Sequence, residues 1–222
     1  MKTNIIVLLM SALPYAPLAI VMENSAAVTA DRISVFKVPL VCPAAPQIGC
    51  GSASKPILLD LEKQPGVLEA WLNRAGTRVA IVWKPESNAE TRRKVATELK
   101  EDRATELDGK SREETVADFL SGKGWYRAAD VDRLSEEEAD IIAARLVRWM
   151  QAKTVLTKDT AEGLQRAFSD LLRKDLTGKG PDQKLKDVAR QYLDQDQIKI
   201  LEQAIQDEEA IENGEQPVPK EG

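Results

Sequence analysis

Histidine is absent from all 222 residues. That removes the side chain that most often moves protons near neutral pH, every Ser–His or Cys–His dyad and every imidazole metal ligand. Aromatic residues make up only 5% of the chain, too few for a base-stacking platform. Positive charge is not in excess either, since 31 Lys and Arg stand against 36 Asp and Glu for a net charge of −5. A surface that neutralises phosphates needs clustered cations, so no nucleic-acid partner is expected. Cysteine is reduced to Cys42 and Cys50. Soft-metal or redox chemistry is therefore confined to the stretch Val38-Pro39-Leu40-Val41-Cys42-Pro43-Ala44-Ala45-Pro46-Gln47-Ile48-Gly49-Cys50-Gly51. What remains is ordinary for a globular chain, with 43% apolar and 30% charged residues. The length suits one large domain or two small ones.

An uncharged, mostly apolar run extends from Thr3 to Met22. Lys2 precedes it, and Ser25-Ala26-Ala27-Val28-Thr29-Ala30 follows. A positive start, an apolar middle and a small-residue exit predict a secretory signal peptide over residues 1–30, cut after Ala30 or Ala27. An uncleaved anchor is the alternative, although Pro14 and Pro17 would kink a spanning helix. With the leader removed, no stable membrane insertion is expected, and the protein is periplasmic or secreted. In an oxidising compartment two cysteines pair by default.

Past the leader, the run from Ile33 to Val41 is β-branched and partly alternating, and predicts a strand that lies at a sheet edge or stops pairing at Pro39. The cysteine loop follows. Ser54-Lys55-Pro56 opens a helix bearing Ile57, Leu58 and Leu61, which Gln64-Pro65-Gly66 ends. Two strands, one from Val67 to Leu72 and one from Thr77 to Trp83, flank the turn Asn73-Arg74-Ala75-Gly76. Val79, Ile81 and Trp83 fall on one face. Ser87 and Glu90 form a capping box for a helix to about Leu99, and a short strand lies near Arg103–Leu107. The order is βαββαβ over residues 31–108, an α+β ferredoxin-like arrangement with both helices on one side of an antiparallel sheet.

Residues 109–212 carry no strand signal and predict an all-α helical domain that offers a surface for a protein partner. Ser111 and Glu114 cap a helix with Val116, Phe119 and Leu120. Ser135 and Glu138 cap a longer one with Ile142, Leu146, Trp149 and Met150 at helical spacing. Leu164, Phe168, Leu171 and Leu172 mark a third, and Leu185, Val188 and Tyr192 a fourth that starts at Pro181. Asp194 caps a fifth with Ile198, Leu201 and Ile205. Residues 213–222 form a polar tail expected to be disordered.

Pro65-Gly66-Val67 before the second strand, Asn73-Arg74-Ala75-Gly76 before the third, and cysteines between the first strand and first helix give residues 31–108 a family resemblance. The region resembles a heavy-metal-associated domain, as in periplasmic mercury-binding proteins and copper chaperones. That resemblance implies Cys42 and Cys50 as soft-metal ligands for Cu(I), Hg(II) or Zn(II). The family places two residues between its cysteines and a Met ahead of the first. Here seven intervene, Pro43 and Pro46 among them, and Val41 stands in the Met position.

Three readings of the pair stay open. Cys42 and Cys50 are soft-metal ligands, with Gly49 and Gly51 giving the backbone room beside them. As a structural disulfide they staple a nine-residue loop, worth about 2–3 kcal/mol on the chain-entropy model. As a redox pair they make an envelope thiol–disulfide component, with Cys50 near a helix start that favours thiolate. Other chemistry finds little support. Gly49-Cys50-Gly51-Ser52 has no base, and Gly178-Lys179-Gly180 reads as a helix-ending turn. Glu136-Glu137-Glu138 reads as a solvated helix start, and the tryptophans as core or interface anchors. No enzymatic constellation is evident, and the expected role is binding of a soft metal or a partner.

Overall fold

β-branched and aromatic side chains at alternate positions build one antiparallel sheet, because each strand can then bury a face on either side. The computed structural model describes residues 28–101, 103–174 and 181–215. Its strands are β1 (Ile33–Lys37), β2 (Val67–Asn73), β3 (Arg78–Trp83), β4 (Thr105–Glu106) and β5 (Trp125–Arg127). They lie in the order β4-β1-β3-β2-β5, and every neighbouring pair is antiparallel. The fold is mixed α+β, with seven α-helices among the described residues. The predicted signal peptide, residues 1–30, falls outside the described residues except for residues 28–30. Gly178-Lys179-Gly180 and the tail beyond residue 215 lie outside them as well.

β1 ends at Lys37, two residues before Pro39, and lies between β3 and β4 rather than at the sheet edge. Pro39 has no N–H to give, so the ladder cannot continue regularly. The strap still follows β3's turn, with Val38 N donating to Thr77 O (3.1 Å) and Leu40 N to Gly76 O (3.0 Å). β5 overturns the expectation of a strand-free second half. Trp125-Tyr126-Arg127 is too short for alternation to register in sequence, yet it pairs with Asn73, Leu72 and Trp71.

Helices cover both faces of the sheet. α1 (Gly51–Lys63) and α2 (Ala89–Glu101) pack Leu58, Leu61, Val95 and Leu99 on Phe36, Leu72, Val79, Ile81 and Trp83. Val79, Ile81 and Trp83 do share one face, as their alternation predicts. Each such fully buried side chain contributes about 1.5–3 kcal/mol. On the opposite face α3 (Gly109–Leu120) sets Val116 and Phe119 against Ile33, Val35, Trp71 and Trp125. Phe119 meets the Trp71 and Trp125 rings edge-on at 5.8 and 5.2 Å between centroids. Leu120, expected in that stripe, is exposed.

Four helices complete the chain: α4 (Asp132–Lys153), α5 (Lys158–Lys174), α6 (Pro181–Ala189) and α7 (Gln195–Glu212). Their core holds Ile142, Leu146, Met150, Leu164, Phe168, Leu185, Ile198, Leu201 and Ile205, the residues whose spacing marks the stripes. Tyr192 lies beyond the end of α6, half-exposed, with its ring over Gly163 of α5. Buried within the bundle, Arg145 of α4 forms an ion pair with Glu208 of α7, Nε to Oε2 at 2.6 Å.

Helix starts are where sequence and structure part. α1 opens at Gly51, three residues ahead of the predicted start, because Ser54 N (3.0 Å) and Ser54 Oγ (2.6 Å) both donate to Cys50 O. Cys50 thus becomes the N-cap, and Pro56 sits inside the helix. Asn88, not Ser87, caps α2, accepting from Thr91 N at 2.9 Å while the buried Ser87 Oγ has no partner. α3 begins at Gly109 rather than at Ser111. α4 begins at Asp132, so Ser135 and Glu138 are not its cap; both lie inside the helix. Asp194 does cap α7, in a reciprocal box with Gln197, worth about 1 kcal/mol.

Candidate functional site

The loop from Val38 to Cys50 folds back on itself and bridges two cores. Val41 and Gly49 form an isolated antiparallel bridge, flanked by Cys42 N→Ile48 O (2.9 Å) and Cys50 N→Leu40 O (2.8 Å). Residues one step beyond a bridged pair share the ladder's other face. The bridge therefore puts Cys42 and Cys50 on one side, diagonally opposed. Seven intervening residues, which sequence spacing treats as an obstacle, are what this miniature hairpin needs.

Two glycines hold the loop in place. Gly76 has φ +68°, and a Cβ there would lie 2.3 Å from Leu40 O and 2.5 Å from Gly49 Cα. The β2–β3 turn and the cysteine loop therefore touch backbone to backbone. At Gly51 a Cβ would lie 2.4 Å from Ser135 Oγ and 2.7 Å from Val131 O, so α1 starts directly against α4. Neither Gly49 nor Gly51 takes a positive φ. Their contribution is close approach, not a turn. Beyond the loop, Ala44, Ala45 and Ile48 sink into the helical core along with Cys42, while Leu40 packs on the sheet core.

Both cysteines are free thiols, with Cys50 at the head of α1. Cys42 is buried, 1% exposed, and Cys50 is half-exposed. Cys42 donates its S–H to Glu138 Oε1 at 3.0 Å. The hydrogen bond from Cys42 is the main influence pulling the Cys50 thiol down to about 5. Ser52 Oγ, 3.3 Å from Cys50 Sγ, and the backbone N–H groups of Ser52 and Ala53 assist, as donors at a helix N-terminus do. Cys42 moves the other way. Its bond to Cys50, its burial and the carboxylate of Glu138 all hold the proton on and raise its pKa.

Glu138 is the member that sequence reasoning missed. Placed between Leu134 and Ile142, four residues from each, it faces inward with those buried neighbours. Burial is the main cause that raises its pKa above the usual carboxyl value; Cys50 and Glu208 push the same way, and the Cys42 S–H opposes them. A carboxylate in line with a buried stripe is the available signal, and the flanking run of glutamates obscures it. Ion pairs at the rim, Lys55 with Asp132 and Arg74 with Glu137, tie the start of α4 to α1 and to the β2–β3 turn.

Among the described residues no group of three or more His, Cys, Asp and Glu side chains is arranged to hold a metal ion. The soft-ligand set at this site is the two sulfurs alone. Comparison with protein-family models, curated proteins and solved structures gives no match for this chain. No described helix is long and apolar enough to cross a membrane.

Proposed function

We propose that this chain is a thiol–disulfide exchange protein of the cell envelope in which Cys50 attacks and Cys42 resolves. The observation that carries the reading is the unlike placement of the two thiols. Cys50 is half-exposed as the N-cap of α1 with Ser52 Oγ at 3.3 Å, while Cys42 is buried with its S–H on Glu138 Oε1 at 3.0 Å. That placement is in keeping with a Cys50 thiol pulled down to about 5 and a Cys42 thiol pushed up. A structural staple has no use for that asymmetry, whereas exchange needs one sulfur ionised at neutral pH and a second held in reserve. Export over residues 1–30 supplies the compartment in which such a pair meets disulfides. The strand order β4-β1-β3-β2 supports a ferredoxin-like reading for residues 31–108, with β5 as an addition at the edge. The heavy-metal-associated resemblance places its cysteines at the same point, between β1 and α1.

Trapping tests the proposal. A Cys42→Ser variant treated with oxidised glutathione is expected to stop as a mixed disulfide on Cys50, located by peptide mass mapping. The unaltered protein goes on to a Cys42–Cys50 disulfide and releases both halves of the reagent. A thiol pair that reagents reach only after a chelator is added would transfer the site to soft-metal capture instead.

A further inference from the structure

Glu138 comes from the middle of the chain, on a helix outside the cysteine loop, and its carboxylate ends on the buried thiol. We infer that Glu138 is the proton acceptor for Cys42 in the resolving step, so that α4 supplies a catalytic residue to the cysteine loop. This inference rests on the exchange reading above.

The step is defined by its atoms. Cys50 thiolate attacks one sulfur of a disulfide; the Cys50–sulfur bond forms, the substrate bond breaks, and the other half leaves as thiolate. Cys42 then attacks Cys50 Sγ. The Cys42–Cys50 bond forms, the bond from Cys50 to the substrate breaks, and its electron pair departs on the substrate sulfur. The Cys42 proton passes to Glu138 Oε1, already 3.0 Å from Sγ. The pair loses two electrons and the substrate disulfide gains them.

The groups around Glu138 suit this order of events. Before attack, the Cys50 thiol, pulled down to about 5, competes with Glu138 for the Cys42 proton. In the mixed disulfide Cys50 has neither charge nor acceptor strength, and the Cys42 S–H is left with Glu138. Losing that charge also removes one of the two repulsions acting on the Glu138 carboxylate. The second comes from Glu208 of α7, which Arg145 of α4 balances in a buried ion pair. Glu137 and Asp132 on α4's outer turns are paired with Arg74 and Lys55.

The test is stopped-flow reaction with 5,5′-dithiobis(2-nitrobenzoate). The first equivalent of thionitrobenzoate reports Cys50, and the second reports Cys42. Glu138→Gln is expected to keep the first phase within about 3-fold and slow the second by about 10²-fold at pH 7, the usual scale for a lost general base. Glu138→Asp, which retains a carboxylate, should recover at least part of that loss. A second phase unchanged in Glu138→Gln, or no faster in Glu138→Asp than in Glu138→Gln, overturns the inference. Should Glu138→Gln not fold, the unaltered protein decides. A second phase that climbs only in the alkaline range, following ionisation of a raised thiol, overturns it, and one already level near neutrality supports it. Absence of any first phase in the unaltered protein strikes at the exchange reading itself.

Discussion

Cys42 Sγ stands 3.0 Å from Glu138 Oε1, although ninety-six positions separate the two in the chain. The contact exists because α4 starts hard against α1, with no room for a side chain at Gly51. It joins the cysteine loop to the helical half of the protein at the level of a single proton.

The asymmetry of the two thiols predicts one-sided reactivity. Iodoacetamide at pH 6.5 should alkylate Cys50 and spare Cys42, since Cys50 is half-exposed and ionises near 5 while Cys42 is buried and raised. Peptide mapping after partial labelling checks this. Equal labelling of both residues would remove the basis for assigning them different roles.

The stability of the reduced protein should depend on pH in a defined direction. Folding lowers the Cys50 pKa from 9.0 to about 5, so between those values the unfolded chain binds the extra proton. Stability from this group therefore rises with pH through that window, is complete above about 9 and is lost as pH falls through 5. Glu138 and Cys42, both raised, act in the opposite sense: each contribution is present below its unfolded pKa and fades as pH rises above it. Urea unfolding of the reduced protein and of Cys50→Ser at pH 5.5 and 8 isolates the first effect. The advantage of the unaltered protein should be larger at pH 8.

Gly76→Ala should cost more than Gly122→Ala. Both glycines have positive φ, +68° and +73°, so both substitutions carry the left-handed penalty of about 1–2 kcal/mol. Only at Gly76 does the new Cβ meet backbone, at Leu40 O and Gly49 Cα. That adds about 1–3 kcal/mol of overpacking and displaces the loop that carries Cys42. Thermal unfolding of the two variants side by side measures the difference, and equal losses would mean that the loop gives way freely.

The sheet and the helical stripes were legible in the sequence because burial repeats along them: Val79, Ile81 and Trp83 alternate, and Leu164 and Phe168 recur one helical turn apart. Helix starts were not. A capping pattern at Ser135 and Glu138 competes with the burial of α4's first turns, and burial wins, which turns a supposed cap into a site residue. β5 escaped notice because three residues cannot display a period. The cysteines are legible as a pair, but their asymmetry does not show in the spacing. It depends first on Cys42 being buried beside Cys50 with its S–H on Glu138, and only secondarily on Cys50 being the N-cap of α1.

Arg145 and Glu208 should behave as a buried pair. Arg145 is 8% exposed and Glu208 7%, so removing one partner leaves an uncompensated charge, at a cost of about 3–5 kcal/mol. Arg145→Met alone is expected to destabilise by that amount, and Arg145→Met with Glu208→Leu to recover most of it. Chemical denaturation of the three proteins gives the comparison. A single variant as stable as the parent would place the pair in solvent rather than in the core.

The most direct test of the exchange reading is an equilibrium redox titration of the unaltered protein against dithiothreitol and its oxidised form, with free thiols counted by mass after acid quench and alkylation. The account predicts one reversible two-electron transition between Cys42–Cys50 disulfide and dithiol, in which a tenfold change in the reduced-to-oxidised ratio corresponds to about 30 mV. Thiols that stay free across the whole range, or a disulfide that no accessible potential reduces, would contradict it.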